Sequence, residues 1–103
     1  ALGGMYSQAF GMSVIAVRIG WLPRSPEAAR CYEKHPHVQD YYLSHDDAGR
    51  FFLKAVEAEN IGFAVLIASS KWKIKQVFDL ESSRRTIGYE PQDSFPEGLQ
   101  FKL

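Results

Sequence analysis

The stretch Gly11-Met12-Ser13-Val14-Ile15-Ala16-Val17-Arg18-Ile19-Gly20 decides the fold. Val14 to Val17 is apolar without alternation and rich in β-branched residues. A strand wetted on one side alternates, whereas a short unbroken run fits a strand covered on both faces, the usual state of a parallel sheet. Gly20 closes the run. A second run of the same kind, Phe63-Ala64-Val65-Leu66-Ile67-Ala68, lies downstream. Between them Ala48, Phe51, Phe52, Ala55 and Val56 recur at helical spacing, which predicts a helix over about 45–59. Strand, helix and strand in this order predict an α/β fold with two buried parallel strands, flanking helices and a right-handed crossover.

The punctuation around these elements agrees. Ser44 precedes the central helix as an N-cap, with Asp47 three residues later as its capping-box partner. Asp46 and Asp47 also suit the positive end of the helix dipole. Asn60 and Gly62 supply stop signals. Asp79 is placed to cap a last helix over about 80–87, which Gly88 ends and on which Tyr89 folds back. Residues 21–40, broken by Pro23, Pro26 and Pro36, read as a long irregular segment. Ser25 and Pro26 open a short helix within it. A loop of that length inside a small domain usually carries function. Tyr41-Tyr42-Leu43 reads as a short strand, and Pro91 to Leu103 as an irregular tail.

Upstream, Leu2, Met5, Tyr6, Ala9 and Phe10 mark one face of a helix over about 1–10 that Gly11 ends. That helix has no cap residue, so the chain reads as cut inside a helix. Two strands are also too few to cover a sheet. Both observations lead to the expectation that residues 1–103 are a single C-terminal piece whose preceding part is absent.

Composition excludes several classes. With 103 residues, 46% hydrophobic and 23% charged, the chain is an ordinary globular domain and not a disordered tail. Twelve basic residues balance twelve acidic ones, and no basic stripe stands out, so a nucleic-acid partner is not expected. Cys31 is the sole cysteine and has no internal disulfide partner. No apolar run approaches the roughly 20 residues that cross a bilayer, and no signal peptide is visible. A cytoplasmic protein without a membrane partner is the expectation.

Motifs that carry chemistry are mostly missing. The sequence has no G-x-G-x-x-G or G-x-x-G-x-x-G loop, no Walker loop, no G-x-S-x-G and no H-E-x-x-H. No Tyr has a Lys four residues later. Cys31, His35 and His37 match no zinc spacing and read as a surface loop. His45-Asp46-Asp47 is better explained as a helix cap than as an acid/base group. No catalytic, cofactor-binding or metal-binding residue is therefore assigned. What remains is cationic and aromatic. Arg18 stands at a strand end, where it either meets a ligand or neutralises an acid from a preceding segment. Trp21, Arg24 and Arg30 follow in the segment leaving that end. In open α/β sheets ligands sit beyond the carboxyl ends of the strands, and an arginine fork there suits a carboxylate or phosphate.

Taken together, the segments resemble the C-terminal part of extended short-chain dehydrogenases, the NAD-dependent epimerase/dehydratase family. Gly11 to Gly20 looks like the family's G-[LM]-x-V-x-x-x-R-x-G strand. Tyr42 to Arg50 is similar to its [YF]-x-x-x-x-D-[DV]-A-x segment, and Phe63 to Ser69 to the strand that follows. Asp79-Leu80, Arg84-Arg85 and Gly88-Tyr89-Glu90-Pro91-Gln92-Asp93-Ser94 resemble its closing D-L-x-x-x-R-x-x-L-G-[YW]-x-P-x-D pattern. Within the family, the strongest likeness is to uronate dehydrogenases.

The resemblance implies a Rossmann-type fold whose cofactor loop and catalytic Tyr-x-x-x-Lys pair lie before Ala1. It implies an intact parent that uses NAD or NADP and moves a hydride to or from a sugar-like substrate. It also implies that Arg30 occupies the place of an arginine that holds a sugar acid's carboxylate. Trp21 departs from the pattern, standing where uronate dehydrogenases carry a small hydroxyl residue. The chain is then expected to supply the last sheet strands and part of the substrate pocket through Arg30, Trp21 and Arg18. It is expected to be inactive alone and to bind no cofactor tightly. Its exposed apolar surface favours a homo-oligomer. The alternative is a stand-alone α/β binding or self-association module without catalysis.

Overall fold

The computed structural model describes residues 4, 5, 8 and 11–101. Its elements run β1 (Val14–Ile19), α1 (Pro26–Lys34), a 3-10 helix (Pro36–Tyr41), α2 (His45–Glu57), β2 (Phe63–Ala68) and α3 (Glu81–Ile87). The predicted α/β fold is present. The two strands pair in parallel, with Val14 opposite Phe63 and Ile19 opposite Ala68. The predicted helix over 1–10 falls largely outside the described residues, although Gly4, Met5 and Gln8 are helical.

The sheet has one covered face. Ile15, Val17, Ala64, Leu66 and Ala68 pack with Leu43, Phe51, Ile87 and Tyr89 into one core. Full burial of a side chain such as Phe51 contributes roughly 1.5–3 kcal/mol. On the opposite face Ala16 and Arg18 are exposed, and Phe63 and Val65 keep 41% and 51% of their surface. The expectation of strands buried on both faces is therefore corrected: among the described residues, α2 and α3 cover only one side. The helical stripe is narrower than its spacing predicts. Phe51 is fully buried, and Ala48 and Ala55 pack on the core. Phe52 and Val56 remain exposed because two strands are too narrow to reach them.

The edges of the sheet differ. Ser83 of α3 closes the far edge of β2: its hydroxyl donates to the Ile67 carbonyl at 2.7 Å and accepts the Ile67 N–H at 3.2 Å. The far edge of β1 carries no hydrogen bond from any described residue.

Residues 21–40 are more ordered than their prolines predict. Ser25 accepts the Ala28 N–H at 3.2 Å, Pro26 fills the first helical turn, and α1 runs on to Lys34. Pro36 then starts the 3-10 helix. The last helix begins at Glu81, one residue later than predicted, with Leu80 at the cap position. Asp79 still contributes, since its carboxylate accepts the Glu81 N–H at 3.0 Å. Gly88 ends that helix in the left-handed conformation, φ 74°, and Tyr89 folds back into the core.

Candidate functional site

The site begins where the two strands part. Gly20 N–H still donates to Ala68 O, at 2.8 Å. One residue further on, Tyr41 to Leu43 wedges between the chains. Trp21 N–H donates to Tyr41 O at 2.7 Å, Leu43 N–H to Trp21 O at 3.0 Å, and Ser70 N–H to Tyr42 O at 2.8 Å. Gly20 permits the wedge, because a Cβ there would lie 2.6 Å from Tyr41 O. The predicted short strand at 41–43 is thus a single bridge, Trp21 to Tyr42, sealed from both sides.

The wedge orders a row of aromatic rings at the carboxyl ends of the strands. Phe78 meets Tyr41 edge-on at 5.7 Å. Tyr41 stacks on Trp21 with centroids 5.1 Å apart and planes inclined by 22°. Tyr32 of α1 lies 6.3 Å beyond Trp21, and Phe95 lies 6.0 Å beyond Tyr32. Tyr42, fully buried, closes the row against Phe95 at 5.1 Å. Trp21 sits mid-row with 48% of its surface exposed. Its backbone is pinned through both N–H and C=O, and its ring, half in water, packs against those of Tyr41 and Tyr32.

Polar groups along the row are only partly used. Tyr42 donates its hydroxyl to Glu97 O at 2.7 Å. Burial, followed by the nearby Asp93, pushes this phenol well above its ordinary value. The hydroxyls of Tyr32 and Tyr41 and the Trp21 indole N–H make no hydrogen bond with a described residue. Burial and then the neighbouring Cys31 push the Tyr32 phenol upward, so it stays a neutral donor. A tyrosine hydroxyl can both give and accept a hydrogen bond.

The three predicted substrate residues are placed differently. Trp21 is in the row. Arg30 is exposed on α1, the helix that supplies Tyr32, and makes no ion pair or hydrogen bond among the described residues. Arg18 is exposed on β1 opposite Ile67, on the face away from the core. Strand alternation sets it on the side opposite Ile15 and Val17, which pack in the core. The structure does not gather the three into one cluster. Sequence reading missed Tyr41, Tyr32, Phe78 and Phe95, which come from separate segments and share no spacing.

A clamp and a buried hub support this end of the sheet. Asp40 accepts the N–H groups of Lys73 and Ile74, each at 2.8 Å, and of Lys75 at 3.0 Å. Burial pushes this carboxyl up, but the three backbone donors outweigh it and hold the group below the ordinary aspartate value. Ser44 caps α2 as predicted, accepting the Asp47 N–H at 2.8 Å. The Asp47 carboxylate does not return to Ser44 N–H, which donates instead to Ser70 Oγ at 2.9 Å. Asp47 is fully buried and accepts from Arg50 at 2.7 Å, Ser70 Oγ at 2.7 Å, and the N–H groups of Gln92 and Asp93 at 2.9 and 3.1 Å. Ser44 Oγ in turn donates to Asp93 at 2.6 Å. The expected capping box is thus half a box, and its acid ties down the tail. His45 and Asp46 serve the same end, accepting from the backbone and side chain of Gln100 at 3.0 and 2.7 Å.

Elsewhere, an open cleft of about 220 Å³ lies between α2 and the turn after α3, bordered by Arg50, Lys54, Gly88 and Glu90. None of the three predicted substrate residues borders it, and its Arg50 is held by Asp47 and Asp93. His35 and His37 face each other edge-on at 6.0 Å. Among the described residues no group of three or more His, Cys, Asp or Glu is placed to hold a metal ion. No described helix is long and apolar enough to cross a membrane.

Comparison with known proteins adds one relative. The chain is similar to an L-arabinose 1-dehydrogenase (NAD(P)(+)) of Haloferax volcanii, with 29% identity over 98 residues. The similarity covers 91% of this chain and 39% of the relative, so the chain spans well under half of that enzyme's length. No family model matches the chain, and no solved structure matches it.

Proposed function

We propose that this chain is the substrate-binding C-terminal portion of an NAD(P)-dependent sugar dehydrogenase of the extended short-chain type. The observation that carries the reading is the similarity to an NAD(P)-dependent sugar dehydrogenase along 91% of the chain. The parallel strands, with their aromatic row at the carboxyl ends, support it, because ligands of open α/β sheets lie there. The substrate class is an aldose or a sugar acid. Trp21 borders the substrate. Arg30, free of ion pairs among the described residues, receives an anionic group where the substrate is a sugar acid. Arg18 approaches from the other face of β1 or neutralises an acid of the preceding sheet.

NAD or NADP belongs to the part of the parent outside these residues. No glycine-rich phosphate loop is present in the sequence, so no step of hydride transfer is assigned to this chain. The chain alone is accordingly inactive. The same reading supplies an occupant for the open edge of β1 and the exposed face around Val65: the preceding strands and helix of a larger sheet. In the chain alone that surface favours homo-oligomers.

The test is the intact mass of the protein from its native source, set against 11.7 kDa. A heavier product is expected, with G-x-x-G-x-x-G and Tyr-x-x-x-Lys before Ala1 and sugar-dependent reduction of NAD(P). A native product of this chain alone overturns the reading.

A further inference from the structure

We infer that the Trp21–Tyr41 stack is a ring-stacking platform on which the sugar lies flat, and that Trp21 thereby sets the choice of substrate by ring face instead of by charge. The inference rests on the proposed function and deepens it.

Three observations carry it. First, the indole is half exposed, its backbone is fixed by hydrogen bonds on both sides, and its ring already packs against Tyr41 and Tyr32 before any ligand arrives. Stacking on a preorganised ring costs little conformational entropy. Second, Tyr41 backs Trp21 at 5.1 Å and nearly parallel, and Phe78 backs Tyr41 edge-on. A ring supported in this way has nowhere to rotate when a ligand presses on it. Third, the indole N–H and the hydroxyls of Tyr32 and Tyr41 have no partner among the described residues, so hydrogen-bonding capacity lies beside the apolar face.

A pyranose matches this arrangement. One face of such a ring presents several C–H bonds with partial positive charge, complementary to the negative face of an aromatic ring. Its hydroxyls project around the rim, where phenol and indole donors can meet them. An open-chain polyol carries hydroxyls of the same kind but no rigid C–H face. A carboxylate is not required for stacking, so the platform accepts a neutral aldose as readily as the matching uronate. Charge recognition by Arg30 is then additive to it.

The experiment uses the 103-residue chain with Trp72→Phe, which leaves Trp21 as the single indole. Emission of Trp21 is followed while D-galactose, D-galacturonate or galactitol is added, and binding is measured in parallel by calorimetry. Both cyclic sugars are expected to shift the Trp21 emission saturably, and galactitol is not. Trp21→Ala is expected to weaken binding of both cyclic sugars by about tenfold, with Trp21→Phe recovering most of the loss. Circular dichroism of each variant establishes that it is folded, and Trp21→Phe keeps the test valid if Trp21→Ala is not. Calorimetric binding with no change in Trp21 emission and no loss in Trp21→Ala overturns the platform and leaves the proposed function standing. Binding of galacturonate alone, abolished by Arg30→Ala, overturns the platform in favour of charge recognition. No binding of any sugar overturns the platform, while the native mass and sugar-dependent reduction of NAD(P) decide the proposed function separately.

Discussion

The buried hub under α2 and the aromatic row beyond β1 lie at the same end of the sheet, and they are built on opposite principles. In the hub, Ser44, Asp47, Ser70 and Asp93 are each at least nine-tenths buried, and their polar atoms are paired with one another, with the backbone or with Arg50. In the row, Trp21 is half exposed and the Tyr32 and Tyr41 hydroxyls have no partner among the described residues. A buried polar group left unpaired is costly, so a closed network of acids and hydroxyls is evidence of architecture. Unspent hydrogen-bonding capacity beside a held aromatic face is instead what a ligand site looks like before it is filled. The most unusual chemistry in a chain need not be its working chemistry. His45-Asp46-Asp47 attracts attention as an acid/base group, yet all three residues are occupied in holding the tail.

The sharpest way to break this division is to remove the hub acid. Asp47→Ala leaves the Ser70 hydroxyl and the Gln92 and Asp93 N–H groups without their acceptor, and is expected to cost about 4 kcal/mol in urea unfolding. A loss under about 1 kcal/mol would show that the hub is not structural.

Gly98 tests the same region through the backbone. It adopts φ 77°, and a Cβ there would lie 2.1 Å from Asp93 Oδ2 and 2.8 Å from Ser44. Gly98→Ala is expected to cost about 3 kcal/mol, the left-handed penalty adding to the overlap. A destabilisation much smaller than this would mean that the tail moves aside freely.

Asp40 gives a pH-dependent contrast. Its folded value lies below the ordinary aspartate value because three backbone donors outweigh burial. The stability it contributes is therefore fully present above the ordinary value and is lost as the pH falls through the lowered one. Asp40→Asn is expected to be less stable than the unsubstituted chain at neutral pH, with the gap in urea midpoint closing in acid. A gap unchanged down to the lowest pH would show that the carboxylate's charge contributes nothing to the clamp.

The smallest stability effect is expected in the row. Trp21→Ala should lower stability by about 2 kcal/mol, roughly half the cost of truncating a buried Trp, since half of the ring is already wet. The same substitution carries the largest effect on sugar affinity, and that inversion separates the two regions. A loss as large as that of Asp47→Ala would make Trp21 a core residue.

The residue order by itself determined the parallel α/β arrangement, the two strands, the Ser25 and Ser44 caps and the Gly88 stop. The caps and the stop are decided by neighbours within four residues, the strands by their apolar runs, and the parallel arrangement by the order strand, helix, strand, all of which a linear reading contains. Trp21 could also be placed at the strand end from order alone. What only the tertiary structure decided is which residues meet there. Asp47 finds Ser70, Gln92 and Asp93 at separations of 23, 45 and 46 residues. Tyr41, Tyr32 and Phe78 reach Trp21's row from three different segments. That two strands leave apolar surface exposed was readable from their number, but which face α2 and α3 cover was not, because an unbroken apolar run does not distinguish the two faces. Such contacts depend on where the chain turns back on itself, and no local spacing encodes that.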